Sequence, residues 1–293
     1  MIIMNEAMPF VSIIIPTYKD WDRLKLCLEA LEKQSFPQNF FEVLVVNNDP
    51  EDEFANRFPI ADNVTILNEP KAGSYVARNT ALDAAKGSLI GFTDSDCIPD
   101  INWIKNAVKV FSTDKTIDRI AGRLKMFYPN KNVSLADLYD ATFAFPQEDY
   151  TKSGFCVTGN LFTKKELFDT VGYFDEKVMS GGDSKWGLEA TKKGFNMVYS
   201  ADVFVSHPTR SSLEDLKIKM KRVGKGLKNI LPDDKKKHNV LVQIFIYIVF
   251  RMPEFFKDAR KRNPDLNIID SLRVSSLHAY LLFLRDQEKY KLV

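Results

Sequence analysis

The run Leu89-Ile90-Gly91-Phe92-Thr93-Asp94-Ser95-Asp96 ends an apolar strand on two carboxylates one position apart. Alternate side chains of a strand share a face, so Asp94 and Asp96 leave it on the same side, near the carboxyl edge where open α/β sheets bind ligands. Paired hard oxygen ligands suit Mg²⁺ or Mn²⁺, which keep one or two protein carboxylates and take their other oxygens from water and a phosphorylated substrate. The pair therefore predicts a phosphate-bearing substrate. The competing reading is structural: an Asp-x-Asp tripeptide also arises by chance, and here it would only close a strand before a helix over 101–111 capped by Asp100.

Such a pair needs a sheet to hold it. Val11-Ser12-Ile13-Ile14-Ile15, ended by Pro16, and Phe41-Glu42-Val43-Leu44-Val45-Val46, ended by Asn47-Asn48-Asp49-Pro50, read as buried parallel strands. Between them Asp20 or Asp22 can cap a helix whose Leu24, Cys27, Leu28 and Leu31 recur at three and four, the face expected to pack on a sheet. A third strand at Val64 to Leu67 and a helix from Gly73-Ser74 through Ala85 lead into the Asp-x-Asp strand. This alternation predicts a Rossmann-like sheet. Beyond residue 120 the pattern loosens, with strands expected at Ile120 to Phe127 and Phe155 to Phe162, helices at Lys164 to Val171 and Asp183 to Gly194, and strands at Met197 to Ser200 and Val203 to Ser206.

With 293 residues, 45% of them hydrophobic, the chain can bury a large core as one domain or one domain plus an appendage. Cys27, Cys97 and Cys156 lie far apart beside apolar residues without metal-ligand spacing, which predicts reduced core thiols and a cytoplasmic setting. Met1 to Met8 show no basic region followed by an apolar signal segment. The net charge of +2 conceals an asymmetry: residues 1–208 carry 22 Lys and Arg against 29 Asp and Glu, residues 209–293 carry 19 against 10. An acidic body thus precedes a basic tail.

Taken in order, several segments resemble family 2 glycosyltransferases of the GT-A fold: Ser12 to Tyr18; Glu42 to Asn48; Gly73 with Ala77-Arg78-Asn79; Phe92 to Asp96; Gly172-Tyr173-Phe174-Asp175-Glu176; Gly182-Asp183; and His207-Pro208. The resemblance runs from about Pro9 to about Arg222 and implies a mixed, mostly parallel sheet flanked by helices over residues 1–210, with a helical extension over 211–293. It also implies an inverting, metal-dependent transfer of a sugar from a nucleotide-diphosphate donor, a UDP-sugar, to a hydroxyl of a glycan or carrier-linked acceptor, in a setting such as bacterial surface polysaccharide synthesis.

The resemblance assigns roles residue by residue. Asp96, assisted by Asp94, would hold Mn²⁺ or Mg²⁺, with His207 completing the metal or diphosphate site; a lone His before Pro is otherwise a surface residue. Pro16, Tyr18, Asn47, Gly73, Arg78, Asp94 and Ser95 would line the donor. Asn47 stands where the family usually has an Asp for the uracil, and Asn-Asn-Asp-Pro is also good turn chemistry. The Lys71-Ala72-Gly73-Ser74 loop faces the free N–H groups of a helix start, which suits anions, and Arg78 one turn on would face the diphosphate or brace the Asp-x-Asp pair. Asp183 would be the catalytic base, against the alternative of a helix N-cap. Gly182, where an acid is common, and Trp186, either a sugar-stacking platform or core, belong to the acceptor side, as does Glu189 where an Arg is frequent. Two other functions remain open at this point: a nucleotidyltransferase releasing pyrophosphate, and a noncatalytic sugar-nucleotide or glycan-binding protein.

In the tail, Leu216, Met220, Val223, Leu227 and Ile230 form one apolar helix stripe with six lysines and arginines around it, fitted either to pack on the body or to meet a membrane. Val240 to Phe250 has Gln243 as its only strongly polar residue, and is too short for the roughly 20 residues of a spanning helix. Flanked by Lys235 to Lys237 and Arg251, it suits an anionic lipid interface on the cytoplasmic face of a membrane. Nucleic acid is a poor partner, because aromatic and basic residues are not interleaved as a stacking groove needs.

Overall fold

A computed structural model describes residues 8–49, 51–52, 54, 57–228 and 246–290. An eight-stranded mixed sheet dominates it, built from β1 (Val11–Thr17), β2 (Phe41–Asn47), β3 (Val64–Asn68), β4 (Leu89–Thr93), β5 (Ile98–Pro99), β6 (Arg119–Phe127), β7 (Asn160–Lys164) and β8 (Met197–Pro208). Their spatial order is β3-β2-β1-β4-β7-β6-β8-β5. Pairing is parallel from β3 through β4 and antiparallel at β4/β7, β7/β6 and β8/β5. The sheet therefore reverses its winding between β1 and β4, and the crevice at a switch point lies beyond the carboxyl ends of those strands. β1, β2 and β4 are buried on both faces, as their unbroken apolar runs require.

The first helices follow the sequence closely: α1 (Trp21–Glu32) buries Leu24, Cys27, Leu28 and Leu31, and α2 (Ser74–Ala84) and α3 (Trp103–Thr113) follow. The caps differ. Asn102, not Asp100, precedes α3, while the Asp100 carboxylate accepts from the Asn102 N–H in the turn before it. Downstream come α4 (Leu135–Phe143), α5 (Gln147–Lys152), α6 (Leu167–Val171), α7 (Gly182–Lys192) and α8 (Leu213–Leu227). Residues 155–159 form turns rather than the start of a strand, and the two short strands expected at 197–206 are the single strand β8.

One polar hub locks the right half of the sheet. The buried Asn160 accepts from Trp103 Nε1 at 2.9 Å and donates to the carbonyls of Arg123 and Val203 at 2.9 and 3.0 Å. Gly122 faces it, and a Cβ there would stand 2.4 Å from the amide.

The chain divides into two compact units, one comprising residues 1–125, 147–177 and 182–207, the other 126–146, 178–181 and 208–293. In the second unit α4 and α8 pack with α9 (Met252–Arg262) and α10 (Ile268–Tyr290) around Tyr139, Leu216, Ala259, Val274, Leu277 and Leu281. Of the tail's apolar stripe, Leu216 is buried inside this unit and Met220 packs beside it, Gly224 of the same helix meets the Arg285 carbonyl of α10, and Ile230 lies outside the described residues. Asp140 anchors the helices, accepting from Arg210 at 3.0 Å and from the largely buried Lys219 at 3.2 Å; desolvation lowers the Lys219 pKa to about 8. Within Val240 to Phe250, only the last residues lie among those described; Tyr247 is buried and donates to Asp286, whereas Phe250 is exposed. Among the described residues, no helix is long and apolar enough to cross a membrane.

Asn160→Leu should leave the Trp103 N–H and two strand carbonyls without partners in the core. Each such group costs about 1–3 kcal/mol, so the variant is expected to lose about 3 kcal/mol or more of stability. Chemical denaturation checks this; an unchanged midpoint would show that the hub is dispensable.

Candidate active site

The carboxyl ends of β1 and β4 carry the first cluster. Asp94 Oδ1 accepts from the Arg78 guanidinium of α2 at 2.6 Å, and Arg78 is itself buried. Gly159, in the turn entering β7, faces the other oxygen, since a Cβ there would lie 3.2 Å from Asp94 Oδ2. Asp96 meets His207 at the end of β8, with Nε2 3.6 Å from Oδ1, and Arg23 of α1 approaches its Oδ2 at 3.4 Å. The ligand atoms of Asp96, Cys97 and His207 lie within 4.8 Å of one another. Burial holds the Cys97 thiol above its ordinary range, so it sits there protonated. The carboxylate oxygen of this set suits Mn²⁺ or Mg²⁺, whereas the imidazole nitrogen is a softer donor. Ser95 turns away from this cluster and donates to Asp20 at 3.0 Å, tying the loop to the start of α1.

The second cluster surrounds Asp183, in the first turn of α7. Its Oδ1 accepts from the Tyr75 hydroxyl at 3.0 Å and from the Ser184 N–H at 2.8 Å, while Oδ2 accepts from the Thr158 N–H at 3.2 Å. Burial, with the neighbouring Asp183 charge, raises the Tyr75 pKa, so its phenol stays protonated and donates. Tyr75 and Arg78 stand one helical turn apart on α2, the guanidinium 5.7 Å from the ring centroid. One helix face therefore grips a carboxylate from each cluster. Asn79 beside them bonds the Phe174 N–H and C=O and the Glu176 carboxylate, which joins the Ala77-Arg78-Asn79 segment to Gly172-to-Glu176.

Other expected positions need correction. Asn47 takes the turn role the sequence also allowed: Nδ2 donates to the carbonyls of Asp49 and Asp52, each at 3.0 Å, and Oδ1 accepts from the Asp49 N–H at 3.2 Å. Trp186 is core, 4% exposed, stacked on Phe168 at 4.8 Å with Nε1 donating to the Gly172 carbonyl, and has no face to offer a sugar. Gly182 is not on an acceptor surface either: a Cβ there would stand 2.8 Å from the Tyr75 ring, so the position is small because the ring lies over it. The Gly73 N–H is used by Asn48 Oδ1 at 2.7 Å, and its φ of 138° is one that glycine adopts freely. Pro16 and the exposed Tyr18 remain at the end of β1, beside the end of β2.

Sequence reasoning missed Tyr75, Thr158, Arg23 and Asp49. The Tyr75-to-Arg78 spacing was readable as one helix face, but not the segments it meets. Asp49 is buried at the end of β2, with the Lys19 ammonium 3.5 Å from its carboxylate.

Residues 12–172 match the model of Glycosyl transferase family 2. The chain belongs to this family. It is 38% identical over 229 residues to "Glycosyltransferase AglE" of Haloferax volcanii, covering 76% of this chain and 74% of that protein. It is 22% identical over 222 residues, 71% of this chain and 69% of the relative, to a "Dolichyl N-acetyl-alpha-D-glucosaminyl phosphate 3-beta-D-2,3-diacetamido-2,3-dideoxy-beta-D-glucuronosyltransferase" of Methanococcus voltae. Among solved structures, a mannosyltransferase from Pyrobaculum calidifontis, in complex with GDP-Man and Mn²⁺, superposes with a TM-score of 0.55 at 18% identity, over 95% of this chain and 73% of that one. The shared architecture is the GT-A fold. Family membership makes the protein a glycosyltransferase and sets aside the nucleotidyltransferase reading.

The Gly182–Tyr75 contact yields a stability test. Gly182→Ala should cost about 1–3 kcal/mol, the usual range for overpacking, whereas the same methyl should cost much less in a Tyr75→Ala background. Equal penalties in both backgrounds would show that the ring does not set the size of this position.

Proposed function

We propose that this glycosyltransferase moves a sugar, with inversion, from a nucleoside-diphosphate sugar to a hydroxyl of a glycan borne on a lipid carrier. The observation that carries the reading is the pairing on α2: Tyr75 orients Asp183 while Arg78 orients Asp94, which holds an acceptor base and a donor-phosphate cluster on one rigid element. Asp183 then takes the proton of the acceptor hydroxyl as that oxygen bonds to the anomeric carbon, and the bond from that carbon to the diphosphate oxygen breaks in the same displacement. The electron pair leaves with the diphosphate. No covalent enzyme intermediate is needed.

A divalent cation held by Asp96 and His207, with Asp94 beside them, would supply positive charge to the departing diphosphate. The presence of Mn²⁺ with the Pyrobaculum enzyme supports that assignment. Arg78 keeps the Asp94 carboxylate aimed from a buried position, and Arg23, more than half exposed, provides a further movable cation at the same edge. The donor is read as a UDP-sugar, following the family resemblance. Asp49, buried just beyond β2 with Lys19 beside it, is an acid placed to meet a base N–H there. The lipid-borne acceptor follows the name of the Methanococcus relative, which specifies a dolichyl-linked sugar phosphate.

Two substitutions separate the roles. Asp96→Ala removes a carboxylate whose arginine partner is largely solvated, so the protein should fold normally yet lose the Mn²⁺-dependent rise in melting temperature that UDP-sugars give the parent. Retention of that rise would remove Asp96 from the metal site. Asp183→Asn can still accept from Tyr75 but cannot take a proton; donor affinity should persist while transfer falls about 10²-fold or more. Near-normal turnover would reduce Asp183 to a structural residue, and absence of both transfer and Mn²⁺-dependent donor hydrolysis in the parent would favour a noncatalytic binding protein.

A further inference from the structure

The helical unit exposes large aliphatic side chains where α9 turns into α10. Ile268 is 64% exposed, Ile269 70% and Leu272 49%, all within the first two turns of α10. These residues lie opposite the helix face that Val274, Leu277 and Leu281 bury in the core, so the helix is apolar on both sides at this end. Exposing three such side chains within two turns is unfavourable in water unless another apolar phase covers them.

The charges around them indicate which phase. The last turn of α9 presents Arg260, Lys261 and Arg262, all exposed, and Arg273 stands beside Leu272. With Lys257, these make five cations against Asp258, Asp265 and Asp270 over residues 257–273. Asp270 is already engaged by Arg273 at 3.1 Å and by Asn267, whose Nδ2 donates to its carboxylate at 2.8 Å while Asn267 Oδ1 accepts the Asp270 N–H. Five residues connect the two helices, and among them Leu266 is buried, pinning the turn to the core. The tip is therefore a fixed feature of the unit, with an aliphatic end ringed by arginine and lysine. That combination matches an anionic bilayer interface, where apolar side chains enter the acyl boundary and cations stay among the headgroup phosphates.

We propose that the α9–α10 turn docks the protein on anionic membrane, with Ile268, Ile269 and Leu272 inserted and Arg260, Lys261 and Arg262 at the headgroups. This differs from the segment the sequence singled out, Val240 to Phe250, and it goes beyond the catalytic reading, since docking is measured without turnover.

The experiment uses the full chain and phosphatidylcholine vesicles with increasing phosphatidylglycerol. Sedimentation should show binding that rises with the anionic lipid and falls with salt over the range that shortens the Debye length. Ile268→Asp combined with Ile269→Asp should lower the vesicle partition coefficient at least about tenfold, and Lys261→Glu combined with Arg262→Glu should weaken it about fivefold or more per charge. All four side chains are exposed, so both variants should remain folded, checked by a cooperative melting transition. Failure of the parent to bind anionic vesicles, or parental binding by the aspartate variant, would overturn the proposal. So would a parent dimer that the same variant converts to monomer with no change in vesicle binding, which would assign the patch to a second copy of the chain.

Discussion

One turn of one helix carries the candidate site. Tyr75 and Arg78 leave α2 on the same face, and each bonds a carboxylate that belongs to a different part of the chain, Asp183 more than a hundred residues away and Asp94 just across the helix–strand turn. A helix fixes the offset between such side chains to within rotamer choice, so the separation of the two carboxylates is set by backbone geometry rather than by loops. The remaining contacts depend on this arrangement. Gly182 must be small because the Tyr75 ring lies over it, and the turn before β7 must pass close by because Thr158 donates to Asp183 while Gly159 stands against Asp94.

The sheet makes that helix stiff. β4 lies between the parallel half and the antiparallel half, and Asn160 at the start of β7 binds Trp103 of α3 and the carbonyls of two further segments. A buried amide with every group satisfied tolerates little displacement, since any shift exposes an unpaired donor or acceptor in a low-dielectric core. The same logic acts at Asn47 and Asn79, whose side chains fasten one turn to the end of β2 and another to α2. Three asparagines thus do by hydrogen bonding what larger apolar residues do elsewhere in the core.

The helical unit rests on a different balance. Its centre is aliphatic, but Asp140 is buried with Arg210 and Lys219, and His278 is stacked on Phe143 with its pKa pushed down to about 3 by burial and nearby arginines. The imidazole there acts as a flat neutral ring, accepting or donating one bond with Tyr139. The unit draws α4 from the middle of the chain and α8 to α10 from its end. Removing the tail would strip α4 of its apolar partners, so the tail belongs to the core of this unit rather than being an appendage to it.

The sequence by itself determined the alternation of buried strands and helices over the first hundred residues, the carboxylate pair at the end of β4, and the apolar stripe of α8, because strand parity and helical periodicity are local properties. Family likeness was equally legible, since it resides in short segments in a fixed order. Tertiary structure alone decided which side chains those segments meet. Asn47 was readable as a base contact or a turn residue and its Nδ2 joins the turn, Trp186 was readable as a platform or as core and is stacked on Phe168, and the expected cap at Asp100 yielded to Asn102. Tyr75 carried only its place on the Arg78 face of the helix, because its importance lies in a hydrogen bond spanning more than a hundred residues. Local pattern specifies the direction in which a side chain leaves the backbone; only the folded chain specifies what stands in its way.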